Sequence, residues 1–136
     1  MPERPLPKSH PAFAAHFEDD LYDNVDDAYA PFGNAEGEEL LRDWGDRLDE
    51  LAESALMTDI VPTFGDDLGT RIGQDDESAD LETLVLAAGF TLLRLQGEID
   101  EQDRQYVLRA LTHLELVYGE QPEFDTMRED LESFDG

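Results

Sequence analysis

The sequence predicts an all-α fold, an irregular bundle of four to five helices preceded by an extended N-terminal arm. Apolar residues return every three or four positions in several segments, which is the spacing of one helix face. Proline and glycine separate these segments, and Ile60-Val61 is the only local hint of a strand. The chain has 136 residues, so we expect a single helical domain over residues 1–136.

The predicted arm covers residues 1–11 and is rich in proline. Proline fixes φ and has no amide proton, so this composition favours an extended chain. The next apolar residues, Phe13, Phe17 and Leu21, are spaced by four and predict a first helix between residues 12 and 29.

The second helix is predicted to begin after Asn34, whose side chain can cap free amides, and acidic residues follow it there. Its apolar stripe begins at Leu40 and is expected to continue to Ala55, with Trp44 in the core. Gly45 destabilises the interior of a helix, so we expect it to lie where a neighbouring helix approaches too closely for a side chain.

Residues 57–77 are the least regular stretch, an irregular acidic loop that contains three glycines. Loops longer than about 12–15 residues without any structure are uncommon in compact domains, so we expect a short helical turn and apolar anchors here. Carboxylates at residues 65–76 could hold a hard cation, but their spacing is not that of an EF-hand, and a solvated loop is favoured.

The third helix is predicted to begin at Ser78 or Asp80 and to continue to about Gln96, where Gly97 can end it. Apolar residues surround nearly its whole circumference. Such a helix is buried centrally or lies at a subunit interface.

Two more helices complete the prediction. Asp100 can cap a fourth helix over residues 101–118, and Gly119 ends it. Pro122 suits the start of the last helix, because proline is favoured at the first helical position.

The chain carries 35 acidic residues against 9 Lys and Arg, a net charge of −26 at pH 7. Nucleic acids and anionic membranes are bound through clustered cations, so neither is expected to bind directly. Abundant carboxylates with almost no lysine are typical of proteins from salt-rich cytoplasm, where a Debye length of about 3 Å at 1 M salt screens self-repulsion. We therefore expect a cytoplasmic protein from a salt-adapted organism, with a melting temperature that rises with KCl.

The sequence contains no cysteine, which excludes disulfides, thiolate-bound zinc and thiol catalysis. His10, His16 and His113 lack the helical spacing to carboxylates that metal sites use, and His113 is interpreted as a partly packed surface residue. Nucleophile-elbow and phosphate-loop motifs are absent as well. We therefore predict no enzyme activity and no catalytic, cofactor-binding or metal-binding residues.

One alternative is a metal-dependent, all-helical hydrolase. Glu38, Glu39 and Asp43 on the second helix resemble the paired carboxylates of all-helical nucleotide pyrophosphohydrolases. That resemblance requires a second acidic position on a facing helix, and Glu82 is the one candidate inside the third helix. The hypothesis therefore requires Glu39, Asp43 and Glu82 to converge.

The leading prediction is a non-catalytic accessory or protein-interaction domain. Its predicted interaction face lies on the last helix and consists of Phe124, Met127, Leu131 and Phe134, because a short bundle has difficulty covering this much apolar surface. A protein partner or a homodimer would cover that face. The other alternative is an acidic decoy or immunity-type inhibitor that occludes a basic nucleic-acid-binding protein.

Overall fold

The computed structural model describes residues 6–27, 29–51, 55–74 and 78–134. Within these ranges the chain contains seven α-helices and no strand, which confirms the predicted all-α helical bundle. The helices are α1 (Pro11–His16), α2 (Ala35–Asp46), α3 (Met57–Ile60), α4 (Leu68–Arg71), α5 (Asp80–Gln96), α6 (Glu101–Tyr118) and α7 (Pro122–Ser133). Short 3₁₀ turns lie at Asp20–Asp23, Leu48–Glu50 and Pro62–Phe64.

The helix α5 is the central element of the bundle. Every residue from Val85 to Leu95 is buried, and α5 packs most extensively against α2 and α6. Gly89 allows the close approach of α6, since a Cβ at this position would overlap the Val107 side chain. Gly97 follows α5 with φ of 73°, the left-handed conformation that ends many helices. The apolar circumference of α5 is therefore covered by the chain itself.

The boundaries of α6 and α7 agree with the sequence prediction. The Asp100 side chain accepts a hydrogen bond from the Gln102 amide at 3.0 Å, and Gly119 follows the last turn of α6. Pro122 occupies the first position of α7. These ends are set by local residues that cap or stop a helix.

The first predicted helix is wrong beyond residue 16, where α1 ends. Three side chains downstream each accept a hydrogen bond from the amide two residues later, at 2.9–3.0 Å, and they belong to Asp19, Asn24 and Asp27. Such bonds give the backbone an alternative to the helix. The apolar spacing of four is therefore distributed over α1 and a 3₁₀ turn rather than one long helix.

The second helix is also shorter than predicted, since α2 ends at Asp46 and not near Ala55. The Gln96 side chain at the end of α5 holds both polar groups of Ala55: the Ala55 amide donates to Oε1 at 3.0 Å, and Nε2 donates to the Ala55 carbonyl at 3.1 Å. A contact distant in sequence therefore decides where this segment lies.

The described part of the N-terminal arm, residues 6–10, contains no helix and lies against α2 and α5. Nε of Arg94 donates to the Pro7 carbonyl at 2.9 Å. The Pro7 ring occupies the space above Gly45, where a Cβ would overlap it. The segment that requires glycine at position 45 is thus the N-terminal arm and not another helix.

Residues 57–74 fold into two short helices and a turn whose apolar residues point into the core. Ile60, Phe64, Leu68 and Ile72 are all buried. Asp103 of α6 accepts a hydrogen bond from the Met57 amide at 2.9 Å and fixes the start of this region. Residues 75–77, the end of the predicted acidic loop, lie outside the described residues.

Candidate functional site

The predicted interaction face on α7 is covered by the chain's own core. Phe124, Met127, Leu131 and Phe134 are buried, none more than 6% exposed. The Phe134 ring lies 5.2 Å from the Phe17 ring, centre to centre. The predicted need for a second molecule to cover this apolar face is therefore wrong, because the end of α1, Phe17 and the rest of the bundle cover it.

Hydrogen bonds fasten α7 in this position. The Tyr22 hydroxyl donates to the Asp130 carboxylate at 2.6 Å, and burial followed by this bond raises the pKa of the Tyr22 phenol above its ordinary value. Arg104 of α6 donates to the carbonyls of Leu131 and Phe134 at 2.8 and 2.6 Å. The two bonds from Arg104 satisfy backbone carbonyls that are free at the end of α7. A partner could reach its apolar face only after α7 left the bundle.

The surface interpretation of His113 is wrong. His113 is 5% exposed, and its Nε2 lies 3.0 Å from the Ser78 carbonyl oxygen and 3.9 Å from Oε1 of the equally buried Glu82. The other carboxylate oxygen of Glu82 accepts a hydrogen bond from the Gly73 amide at 2.7 Å. Glu82 and His113 therefore hold the backbone of Gly73 and Ser78 beside the start of α5. Their separation of 31 positions gives no local sequence signal for this pairing.

The carboxylates of the hydrolase alternative do not converge. Glu39 and Asp43 are exposed on α2, whereas Glu82 is buried and bonded to the Gly73 amide. In the described ranges, no group of three or more His, Asp or Glu side chains is placed to hold a metal ion. The placement of Glu82 overturns the predicted convergence of the three residues.

A strongly acidic groove runs along α2. We call it the α2 groove; its volume is about 1000 Å³. One wall carries five carboxylates and one guanidinium, those of Glu36, Glu38, Glu39, Asp43, Asp46 and Arg42. Its floor and opposite wall are mainly apolar and are formed by Ala35, Leu40, Ile60, Val61, Pro62 and Leu84. The sequence shows the acidic wall, but the opposite wall comes from a segment that only tertiary packing brings there.

A second, more enclosed cavity lies where α2, α5 and α7 begin and α6 ends. We call it the aromatic pocket; its volume is about 520 Å³. It is lined by Tyr29, Ala30, Asn34, Ala35, Glu36, Asp80, Thr83, Leu86, Leu114, Tyr118 and Phe124. The Tyr29 ring centre lies 5.9 Å from that of Tyr118 and 5.5 Å from that of Phe124. The helical pattern of α6 placed Tyr118 on the apolar face, but nothing in the sequence indicated that Tyr29 would meet it.

The groove and the pocket adjoin at Ala35 and Glu36, which line both. Further negative charge lies close by. Burial and the neighbouring Asp27 carboxyl raise the pKa of the Glu123 carboxyl, against a backbone hydrogen bond that lowers it. Glu123 directly precedes Phe124 of the pocket. A cation placed near these carboxylates would relieve their mutual repulsion.

The chain matches no family model, no curated protein and no solved structure. Across the part of the chain that the structure describes, no helix has both the length and the apolar character needed to cross a bilayer. A function for this chain is therefore argued from the shape and charge of its own surface.

Proposed function

We propose that the chain is a non-catalytic protein-interaction domain that binds a positively charged segment of another protein in the α2 groove. The observation that carries this proposal is the combination of five carboxylates, one guanidinium and an apolar floor in one concave surface. The side chains that line the groove carry a net charge of −4, five carboxylates against one guanidinium. Charge complementarity of this kind steers a basic partner and selects against acidic ones.

The apolar floor determines which kind of basic segment fits. Ile60 and Val61 are buried at the base of the groove, and Leu40 and Leu84 are half-buried beside them. An amphipathic helix docks by placing its apolar face on such a floor while its charged residues meet the rim. The partner segment is therefore an amphipathic helix with basic residues flanking an apolar stripe.

The acidity of the whole chain has a separate proposed explanation in adaptation to a concentrated-salt cytoplasm. Exposed charges are screened there within about 3 Å at 1 M salt, so attraction at the rim weakens while apolar burial persists. A partner would then be held mainly by the floor of the groove. A melting temperature that stays constant between 0.1 M and 2 M KCl would remove the salt-adapted origin.

Fluorescence anisotropy with a labelled basic amphipathic peptide tests the proposal, with a scrambled peptide of equal charge as the reference. The triple variant Glu39→Gln, Asp43→Asn, Asp46→Asn removes three charges from the groove. Its matched control is Glu120→Gln, Glu129→Gln, Glu132→Gln, which removes three exposed charges outside it. We expect about tenfold weaker binding for the groove variant and less than twofold for the control.

The decoy alternative rests on the net charge of −26 and predicts a different result. A surface that merely imitates a polyanion binds the scrambled peptide as tightly as the amphipathic one, and both triple variants weaken binding equally. That outcome would contradict docking in the α2 groove and favour the decoy.

A further inference from the structure

The aromatic pocket is a separate cavity at one end of the α2 groove and offers one deep position. Its volume of about 520 Å³ lies within the ordinary range of ligand pockets. Phe124 and Leu86 are buried at its base, whereas Tyr118 is 45% exposed at its edge. An extended side chain entering along Tyr118 would thus contact aromatic surface on its way in.

The electrostatics of the pocket favour a cation. Glu36 and Asp80 line it, and no Lys, Arg or His is among the described residues that do. The helices α2, α5 and α7 begin nearby, and each helix N-terminus contributes about +0.5 charge. The negative charge of the two lining carboxylates is larger than the summed positive charge of the three helix N-termini. Asp27 and Glu123 add further negative charge close by.

We propose that the aromatic pocket receives an arginine side chain of the same basic segment that lies in the α2 groove, an inference that rests on the proposed function. The shared lining residues Ala35 and Glu36 place the pocket next to the groove, within reach of a side chain from such a segment. Arginine fits this chemistry because its planar guanidinium stacks on aromatic rings and pairs with carboxylates at the same time. Tyr29 and Tyr118 supply the rings, and Glu36 and Asp80 supply the carboxylates.

A peptide series tests this assignment through one position. The basic amphipathic peptide is prepared with arginine, citrulline or lysine at the end that lies near Glu36. Citrulline keeps the shape of arginine and removes its charge. We expect about fivefold weaker binding with citrulline and an intermediate loss with lysine. Equal affinity of the arginine and citrulline peptides would overturn the assignment.

The matching protein variant is Tyr118→Ala, which removes an aromatic ring without changing the charge. Its control is Leu116→Ala on the same helix, since Leu116 is 67% exposed and lines neither the pocket nor the groove. We expect Tyr118→Ala to weaken the arginine peptide about fivefold, to leave the citrulline peptide nearly unchanged, and Leu116→Ala to affect neither. Equal effects of the two variants would contradict a role for the pocket.

Capped arginine alone separates failure of this inference from failure of the proposed function. N-acetyl-arginine methylamide is titrated into the full chain while amide shifts are followed by NMR. Saturable shifts at Thr83 and Tyr118 that disappear in Tyr118→Ala support an arginine pocket even if no peptide binds the groove. Tight peptide binding without any shift from capped arginine supports the groove and overturns the pocket.

Discussion

The two halves of the molecule are stabilised in different ways. Residues 78–134 form three helices of 12 to 18 residues joined by short connections. Residues 6–74 form one helix of 12 residues, three helices of four to six residues and three 3₁₀ turns. We call α5, α6 and α7 the scaffold; local signals mark several of its helix ends, namely Gly97, Asp100, Gly119 and Pro122. In the N-terminal half, the adjacent side chains of His10 and Asn34 cap α1 and α2. The backbone around α3 and α4 is instead held by scaffold side chains, those of Gln96, Asp103 and Arg109. Local sequence thus sets helix ends in both halves, whereas the scaffold fixes the segment around α3 and α4.

Arg94 connects the first residues of the N-terminal half to α5 by hydrogen bonds. Its side chain is 6% exposed and donates to the Pro7 carbonyl at 2.9 Å, to the Tyr22 carbonyl at 3.1 Å and to the Asp23 carboxylate at 2.8 Å. Its own carbonyl accepts a hydrogen bond from the His10 amide at 2.6 Å. One residue of the scaffold therefore fixes the arm and the turn after α1 together.

The largest expected effect is that of Arg94→Met, which keeps much of the apolar stem and removes every side-chain donor. The buried carbonyls of Pro7 and Tyr22 then lose their partners, so we expect a loss of about 3 kcal/mol in the free energy of unfolding. Urea unfolding in 2 M KCl measures this loss. Hydrogen exchange at moderate urea should show residues 6–27 opening while α5 and α6 remain protected.

The control is Arg109→Met, because Arg109 is exposed and donates to the Gly69 carbonyl at 2.7 Å. We expect a loss of less than about 1 kcal/mol there, since water can replace an exposed donor. Equal losses for Arg94→Met and Arg109→Met would contradict the special role of Arg94.

The same division explains how much could be predicted from the sequence. Asp100, Gly119 and Pro122 act on the backbone beside them, so the ends of α6 and the start of α7 were predictable. The position of Ala55, beyond the end of α2, depends on its contact with Gln96, which no local pattern contains. Helix periodicity alone also predicts too long a helix before residue 29, where Asp and Asn side chains compete for the backbone.

The candidate site likewise combines a part that the local sequence shows with a part that depends on distant contacts. The acidic side of α2 is visible in the sequence, where Glu38, Glu39 and Asp43 suggest a metal-dependent hydrolase instead. The floor at Ile60 and Val61 comes from the segment whose position the scaffold determines. Tyr29 reaches the aromatic pocket for the same reason. A site formed by segments distant in sequence could not be predicted before their packing was known.

Gly89→Ala alters the scaffold itself and has the next largest expected effect. A Cβ here would overlap the Val107 side chain of α6, so the helices must separate or distort. We expect a loss of about 1–3 kcal/mol by urea unfolding, despite the better helix propensity of alanine. The double variant with Val107→Ala should recover part of this loss, and strictly additive losses would contradict the steric explanation.

Trp44→Ala separates core packing from surface packing on α2. The sequence placed Trp44 in the core, where such a change would cost about 3–5 kcal/mol. The side chain is only half-buried, and the Arg47 guanidinium lies 4.2 Å from its ring centre on the exposed side. We expect a loss of about 1–2 kcal/mol, scaled to the partial burial. A loss of the full core value in urea unfolding would show that the ring contributes as a core residue.

The smallest expected effect concerns Asp103, at the junction of the two halves. Burial raises the pKa of its carboxyl above the ordinary value, and the hydrogen bond from the Met57 amide opposes this only in part. A carboxyl with a raised pKa in the folded state binds its proton more tightly there. Its contribution is therefore most favourable below the ordinary pKa and is lost as the pH rises through the raised value.

Asp103→Asn keeps an oxygen that can accept the Met57 hydrogen bond and removes the charge that burial disfavours. We expect the variant to be slightly more stable than the wild type at pH 7, and the difference to shrink as the pH is lowered towards the ordinary pKa of aspartate. Urea unfolding in 2 M KCl at several pH values measures both, with Asp125→Asn as an exposed control. Lower stability of the variant than of the wild type at pH 7 would mean that the hydrogen bond from the Met57 amide to the charged Asp103 carboxylate stabilises the fold more than burial of that charge destabilises it. The N-terminal half would then depend on that charge as well as on the shape of the scaffold.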